Sequence, residues 1–274
     1  MIRFAKYHAL GNDYLVIDGA AALDAERVRR ICDRHRGIGS DGILAPDLTS
    51  NTPLLAIWNP DGSRAEKSGN GLRIFARFLF DRGRVGHEQF RVETDGGAVA
   101  CRVHEGAQLV TVEMGRVSFD SALIPVAGAA REVLEEAIEV AGEVLTFSAA
   151  TIGNPHCVVF RERATAADAR RLGPLLEHHR LFPKRTNVQL VEVVDARTLR
   201  IEIWERGAGY TLASGSSSCA AAAITNRLGR CGPEVRVRMP GGELEISISP
   251  RFDTTMTGPV VRVAAIELDE EALR

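Results

Sequence analysis

The amino-acid sequence predicts an α+β fold made of two similar lobes that arose by duplication. Three observations predict it. Segments of the first half recur in the second, in the same order and at a nearly constant separation. Each half contains a Ser-Gly pair that opens an apolar, helix-like run, and each half closes on alternating residues around a Gly-Gly turn.

In chain order, the first element is an apolar strand interrupted by Gly11-Asn12, within FAKYHALGNDYLVID. Its counterpart is FSAATIGNPHCVVF, interrupted by Gly153-Asn154. Helices without evident chemistry are expected over residues 24–35 and 166–179. Next, the strand ending in Ile57-Trp58-Asn59 is matched by Ile203-Trp204-Glu205, and the two pairs use both tryptophans of the chain. Ser68-Gly69 then opens SGNGLRIFARFLF, and Ser214-Gly215 opens SGSSSCAAAAITNRL. Finally FRVETDGGAVACRV and VRVRMPGGELEISI read as hairpins turning on Gly96-Gly97 and Gly241-Gly242. The expected division gives residues 1–117 to the N-terminal lobe and 118–258 to the C-terminal lobe, with the break in 117–124 after LVTVEMG. The last strand, in about residues 259–274, is expected to cross back to the first lobe. A cleft between the lobes is then the natural ligand site.

The chain has 274 residues, 45% apolar and 26% charged, the mixture of a folded, water-soluble protein. Its 34 basic and 36 acidic side chains form no long block of one sign, which argues against a nucleic-acid or membrane-surface role. MIRFAKYHALGNDYLVID lacks the apolar stretch of a secretory signal, so a cytoplasmic protein is expected. The five cysteines, Cys32, Cys101, Cys157, Cys219 and Cys231, follow neither a disulfide nor a metal-knuckle pattern, and buried free thiols are expected.

The Ser-Gly helix starts carry the most chemical information. The first N–H groups of a helix have no intrahelical partner and the helix dipole favours an anion there, so such an end can hold a carboxylate. Ser68 and Ser214 are also ordinary N-cap residues when taken singly. Their matched places in the repeat put them instead on opposite sides of one bound molecule. Asn12, Asn59, Asn154 and Asn187 lie in strand ends or turns, where Asn is common for local reasons. Arg206 can bind a carboxylate bidentately, and Glu205 beside it can accept a substrate ammonium. His156 reads as a structural histidine rather than a proton shuttle.

Several segments, in order, resemble the diaminopimelate epimerase family. They are HALGNDYLVID at 8–18, RGIGSDG at 36–42, NPDGSRAEKSGNG at 59–71, GNPHCV at 153–158, RTNV at 185–188 and ERGAGYTLASGSSSCAAA at 205–222. The resemblance implies two pseudosymmetric lobes, each a mixed or antiparallel, barrel-like sheet around a central helix. It also implies a homodimer that needs neither pyridoxal phosphate nor metal and interconverts LL- and meso-diaminopimelate for lysine and cell-wall synthesis. It places a small amino-acid substrate against Asn12, Asn59, Asn154, Asn187, Glu205 and Arg206, with its proximal carboxylate on the amides around Gly69-Asn70 and Gly215-Ser216.

The chain departs from that family at the two positions nearest the reaction. Where the family keeps cysteines, of which one thiolate removes the α-proton and the other thiol returns a proton to the opposite face, this chain has Ser68 and Ser214. A thiol has a reference pKa of about 8.5, which a helix N-terminus lowers. A serine hydroxyl is a far weaker acid and needs an adjacent base to act. Cys219 offers no substitute, because it lies more than one turn into the second helix and corresponds to Arg73 in the repeat. An epimerase with impaired or diverged activity is therefore expected. The alternatives are a lyase or dehydratase of a hydroxyamino acid and a non-catalytic amino-acid-binding protein.

Overall fold

The computed structural model describes residues 1–19 and 21–273. The chain folds as two compact units, Met1–Glu113 with Thr257–Arg274, and Met114–Met256.

The first unit opens on a hairpin of β1 (Ile2–Ala9) and β2 (Asn12–Ile17), followed by α1 (Ala25–Cys32), β3 (Ile43–Asp47), β4 (Leu54–Trp58) and a short β5 (Arg64–Ala65). Helix α2 (Gly69–Asp81) comes next, then β6 (Phe90–Thr94), β7 (Gly97–Val103) and β8 (Leu109–Arg116). β2 pairs parallel with β3, β3 antiparallel with β4, and β4 antiparallel with β5 and parallel with β6. β6, β7 and β8 continue as an antiparallel meander.

The second unit repeats this path with β9 (Glu136–Val140), β10 (Glu143–Thr151), β11 (Pro155–Phe160), α3 (Ala166–Glu177), β12 (Asn187–Asp195), β13 (Thr198–Glu205) and β14 (Gly209–Thr211). It ends with α4 (Gly215–Arg227), β15 (Glu234–Met239), β16 (Gly242–Ile248) and β17 (Asp253–Pro259). The pairings match those of the first unit one for one: β11 parallel with β12, β12 antiparallel with β13, and β13 antiparallel with β14 and parallel with β15. Strand β18 (Val261–Leu268) returns to the first unit and pairs with β1, the place that β9 takes beside β10. The architecture is α+β in both units.

Three details differ from the sequence expectation. The Gly-Asn segments are hairpin turns rather than breaks within one strand, because Leu10 and Gly11 both take positive φ, 57° and 89°, and reverse the chain. Helix α1 stops at Cys32, since the Asp33 carboxylate accepts the N–H groups of His35 and Arg36 at 2.8 Å each and offers the backbone an alternative to another turn. The units part inside β8, after Glu113, and the expected break in 117–124 lies just past the end of that strand.

The core explains which helices are central. Helix α4 is buried from Ser217 through Thr225 and packs against β10, β11, β12, β13, β15 and β16. Its buried run is made of small Ser, Cys, Ala and Thr side chains with Ile224, which lets strands approach it on several sides. Helix α2 buries Leu72, Ile74, Phe75, Phe78 and Leu79 against β1, β2 and β7. The outer helices are amphipathic: α1 adds Val28, Ile31 and Cys32 to a cluster with Phe4, Leu15 and Ile43. Helix α3 adds Ala169, Leu172 and Leu176 to a cluster with Phe147, Cys157 and Leu190.

Candidate active site

Each unit brings a Gly-Asn turn to the amino end of its central helix. In the first unit Ser68 is the N-cap of α2, and its Oγ accepts the Gly71 N–H at 3.1 Å. The N–H groups of Gly69 and Asn70 have no acceptor within the helix. Asn70 donates through Nδ2 to Asn12 Oδ1 at 3.1 Å, and Asn12 donates in turn to Asp41 Oδ2 at 2.8 Å. Arg34 bridges Asp41 and Asp13, and Lys6 lies 2.8 Å from Asp13. Burial alone would raise the Asp13 carboxyl, but hydrogen bonds from Arg34 and Lys6 outweigh it and hold the group below the usual carboxylate range. The RGIGSDG segment thus supplies Asp41, the carboxylate that ties Asn12 to the Arg34 ion pairs.

In the second unit Ser214 is the N-cap of α4 and is nearly buried, but it makes no side-chain cap bond. Asn154 Nδ2 donates to Ser216 Oγ at 3.4 Å, the counterpart of the Asn70–Asn12 link. His156 Nε2 lies 2.9 Å from Asn154 Oδ1, while Gln189 Nε2 reaches both His156 Nδ1 and Ser217 Oγ, at 3.2 and 3.0 Å. Burial pushes the His156 imidazole down to about 3, so the ring is neutral and serves the network as donor and acceptor.

The ERGAG turn is held from two sides. Asn187 Oδ1 accepts the Arg206 N–H at 3.0 Å, and the Arg206 guanidinium reaches the Lys184 carbonyl oxygen at 3.2 Å while staying exposed. Glu177, buried at the end of α3, accepts from Trp204 Nε1 at 2.8 Å and from the Gly207 N–H at 2.9 Å. Glu205, at the end of β13, is half-buried. Asn59 hydrogen-bonds within its own turn, to Ser63 Oγ at 3.0 Å.

Sequence reasoning did not single out Tyr14, Glu177 or Gln189. Tyr14 was within reach of it, since the register that aligns Gly11 with Gly153 also aligns Tyr14 with His156. The five cysteines are free and buried. Burial pushes the Cys231 thiol up to about 11 and the Cys101 thiol up to about 12, and raises Cys32 and Cys157 as well, so none of these four is a ready thiolate. Among the described residues, no three His, Cys, Asp or Glu side chains converge as a metal site.

Comparison with known proteins points in one direction. The family model described as diaminopimelate epimerase matches residues 4–119 and 148–263, one block in each half. Diaminopimelate epimerase 2 of Nostoc sp. is 52% identical over 275 residues, covering 98% of this chain and 96% of that one. Diaminopimelate epimerase of Moorella thermoacetica is 40% identical, covering 96% and 97%. Among solved structures, a probable proline racemase from Agrobacterium radiobacter superposes with a TM-score of 0.72 at 17% identity, over 100% of this chain and 96% of that one. A hydroxyproline epimerase from Agrobacterium vitis also gives 0.72, at 16% identity, over 97% and 90%. At those identities the two structures speak for the fold alone.

Proposed function

The chain belongs to the diaminopimelate epimerase family, whose members are isomerases, and from that premise we propose that Ser68 and Ser214 take the two faces of a substrate α-carbon in a diaminopimelate epimerase-like reaction. The substrate's proximal carboxylate rests on the amides around Gly69-Asn70 and Gly215-Ser216. Asn12, Asn59, Asn154, Asn187 and Arg206 recognise its distal end, and Glu205 accepts an ammonium. The observation that carries this reading is the matched pair of links, Asn70 to Asn12 and Asn154 to Ser216, which fixes each Gly-Asn turn against a serine-capped helix start. Helix starts so placed stabilise the negative charge that develops when the α-proton leaves. The protein acts as a homodimer in the cytoplasm. Exposed Val261 and Val263 on β18 support the first part of that statement and five free thiols the second.

Two hydroxyls limit the rate of proton removal, since neither is a competent base at neutral pH. In deuterated water the protein is expected to bind diaminopimelate but exchange its α-proton slowly. Ser68→Cys combined with Ser214→Cys should raise that exchange by about 10²–10⁴-fold, the usual worth of a positioned acid–base group. Exchange by the serine protein at an ordinary turnover of about 1–10³ per second would overturn this reading.

A further inference from the structure

Ser68 does not stand alone at its helix start. The hydroxyl of Tyr14, a buried residue on β2, lies 3.2 Å from Ser68 Oγ. The phenol ring is seated where Gly42 has no side chain, since a Cβ there would fall 2.7 Å from Tyr14 Cε1. Because Ser68 Oγ already accepts the Gly71 N–H, its own proton can be directed at the Tyr14 oxygen. We propose that Tyr14 is the proton-relay partner of Ser68, positioned to draw a proton through that hydroxyl and to return one.

The inference rests on the reading that Ser68 faces the substrate α-carbon. The step balances without any added reagent. The Cα–H bond breaks and its proton forms a bond to Ser68 Oγ, while the proton Ser68 carried passes to the Tyr14 phenolate. The electron pair left behind delocalises into the substrate carboxylate held by the helix amides. Return of a solvent-derived deuteron along the same path completes an exchange. A phenol suits the task better than an alkyl hydroxyl, because it is the stronger acid of the two.

Among the described residues, the second unit shows no equivalent relay. The repeat partner of Tyr14 is His156, which is fully buried and bonded to Asn154 and Gln189 rather than to Ser214. The relay therefore assists proton transfer on the Ser68 face alone. The ionisable groups on the elements around Tyr14 are committed elsewhere. Asp13 is bound by Lys6 and Arg34, Asp41 by Arg34, and Tyr7 by Asp81, while Arg73 of α2 reaches Asn70 and the Pro259 carbonyl oxygen. Lys67 precedes Ser68 in the chain.

The test follows deuterium uptake at the α-carbons of LL- and meso-diaminopimelate by NMR from pH 7 to pH 10.5, in the unmodified protein, Tyr14→Phe and Ser68→Ala, with calorimetric binding measured alongside. The centre that turns its proton to Ser68 is expected to exchange faster than the opposite one, at a rate that climbs with pH. Tyr14→Phe should lower that rate about 100-fold and flatten the profile while binding stays within twofold. An unchanged profile in Tyr14→Phe while Ser68→Ala abolishes exchange would remove the relay and leave the reading of Ser68 standing. Exchange indifferent to both substitutions, no exchange by a protein that binds, or no binding at all would overturn both.

Discussion

Gly173 and Glu177, four residues apart on α3, together fix the turn that carries Glu205 and Arg206. A Cβ on Gly173 would fall 2.4 Å from Trp204 Cγ, so the indole can seat there only against a bare backbone, and Glu177 then accepts a hydrogen bond from its Nε1–H. A carboxylate at the last residue of a helix opposes the helix dipole, which its bonds to Trp204, Gly207 and Arg185 offset. His156 makes a measurable prediction at the same scale. Its folded value of about 3 lies below the ordinary 6.5, so the unfolded chain binds the proton more readily. Stability from the neutral ring is complete above about pH 6.5 and declines as the pH falls toward 3, by up to about 1.4 kcal/mol per pH unit. Urea unfolding at pH 7, 5.5 and 4.5 should show a steeper loss for the unmodified protein than for His156→Gln, and parallel losses would refute it. Sequence reasoning read His156 correctly as structural but missed Glu177, whose partners lie some 30 residues away and leave no local pattern.

The two central helices begin alike and are capped differently. Ser68 Oγ accepts a helix N–H, whereas Ser214 makes no cap bond with its side chain. Ser68→Ala is accordingly expected to lower unfolding free energy by about 1 kcal/mol and Ser214→Ala by clearly less, read from denaturant midpoints at constant slope. Equal losses would mean that Ser68 is not an effective cap. Both helix starts were legible because Ser-Gly before an apolar run is a start signal with a mechanism. The hairpins on Gly96-Gly97 and Gly241-Gly242 were legible for the same kind of reason. The turn at Leu10-Gly11 was not, since a leucine at positive φ is disfavoured and carries no turn signature of its own.

At the level of the whole chain, duplication was legible because glycines and tryptophans that must sit at turns and strand ends keep their spacing in both halves. The break point was less so, because β8 and β17 are each continuous across a unit boundary and no change of composition marks it. Strand β18 turns Val261 and Val263 to solvent two residues apart, hence on one face, at 47% and 53% exposure. Light scattering is expected to give twice the 29.7 kDa chain mass, and Val261→Lys with Val263→Lys to shift it toward a single chain. A dimer unaffected by both lysines would move the interface elsewhere.

The pairing of β1 with β18 also sets a timetable for biosynthesis. Domains generally fold as they emerge from the ribosome, N-terminal first, at roughly 5–20 residues per second. Here the opening strand must wait for a neighbour translated after the entire second unit, a delay on the order of ten seconds. The later-made half is thus the first that can finish, and the nascent β1 edge lacks its β18 partner throughout that interval.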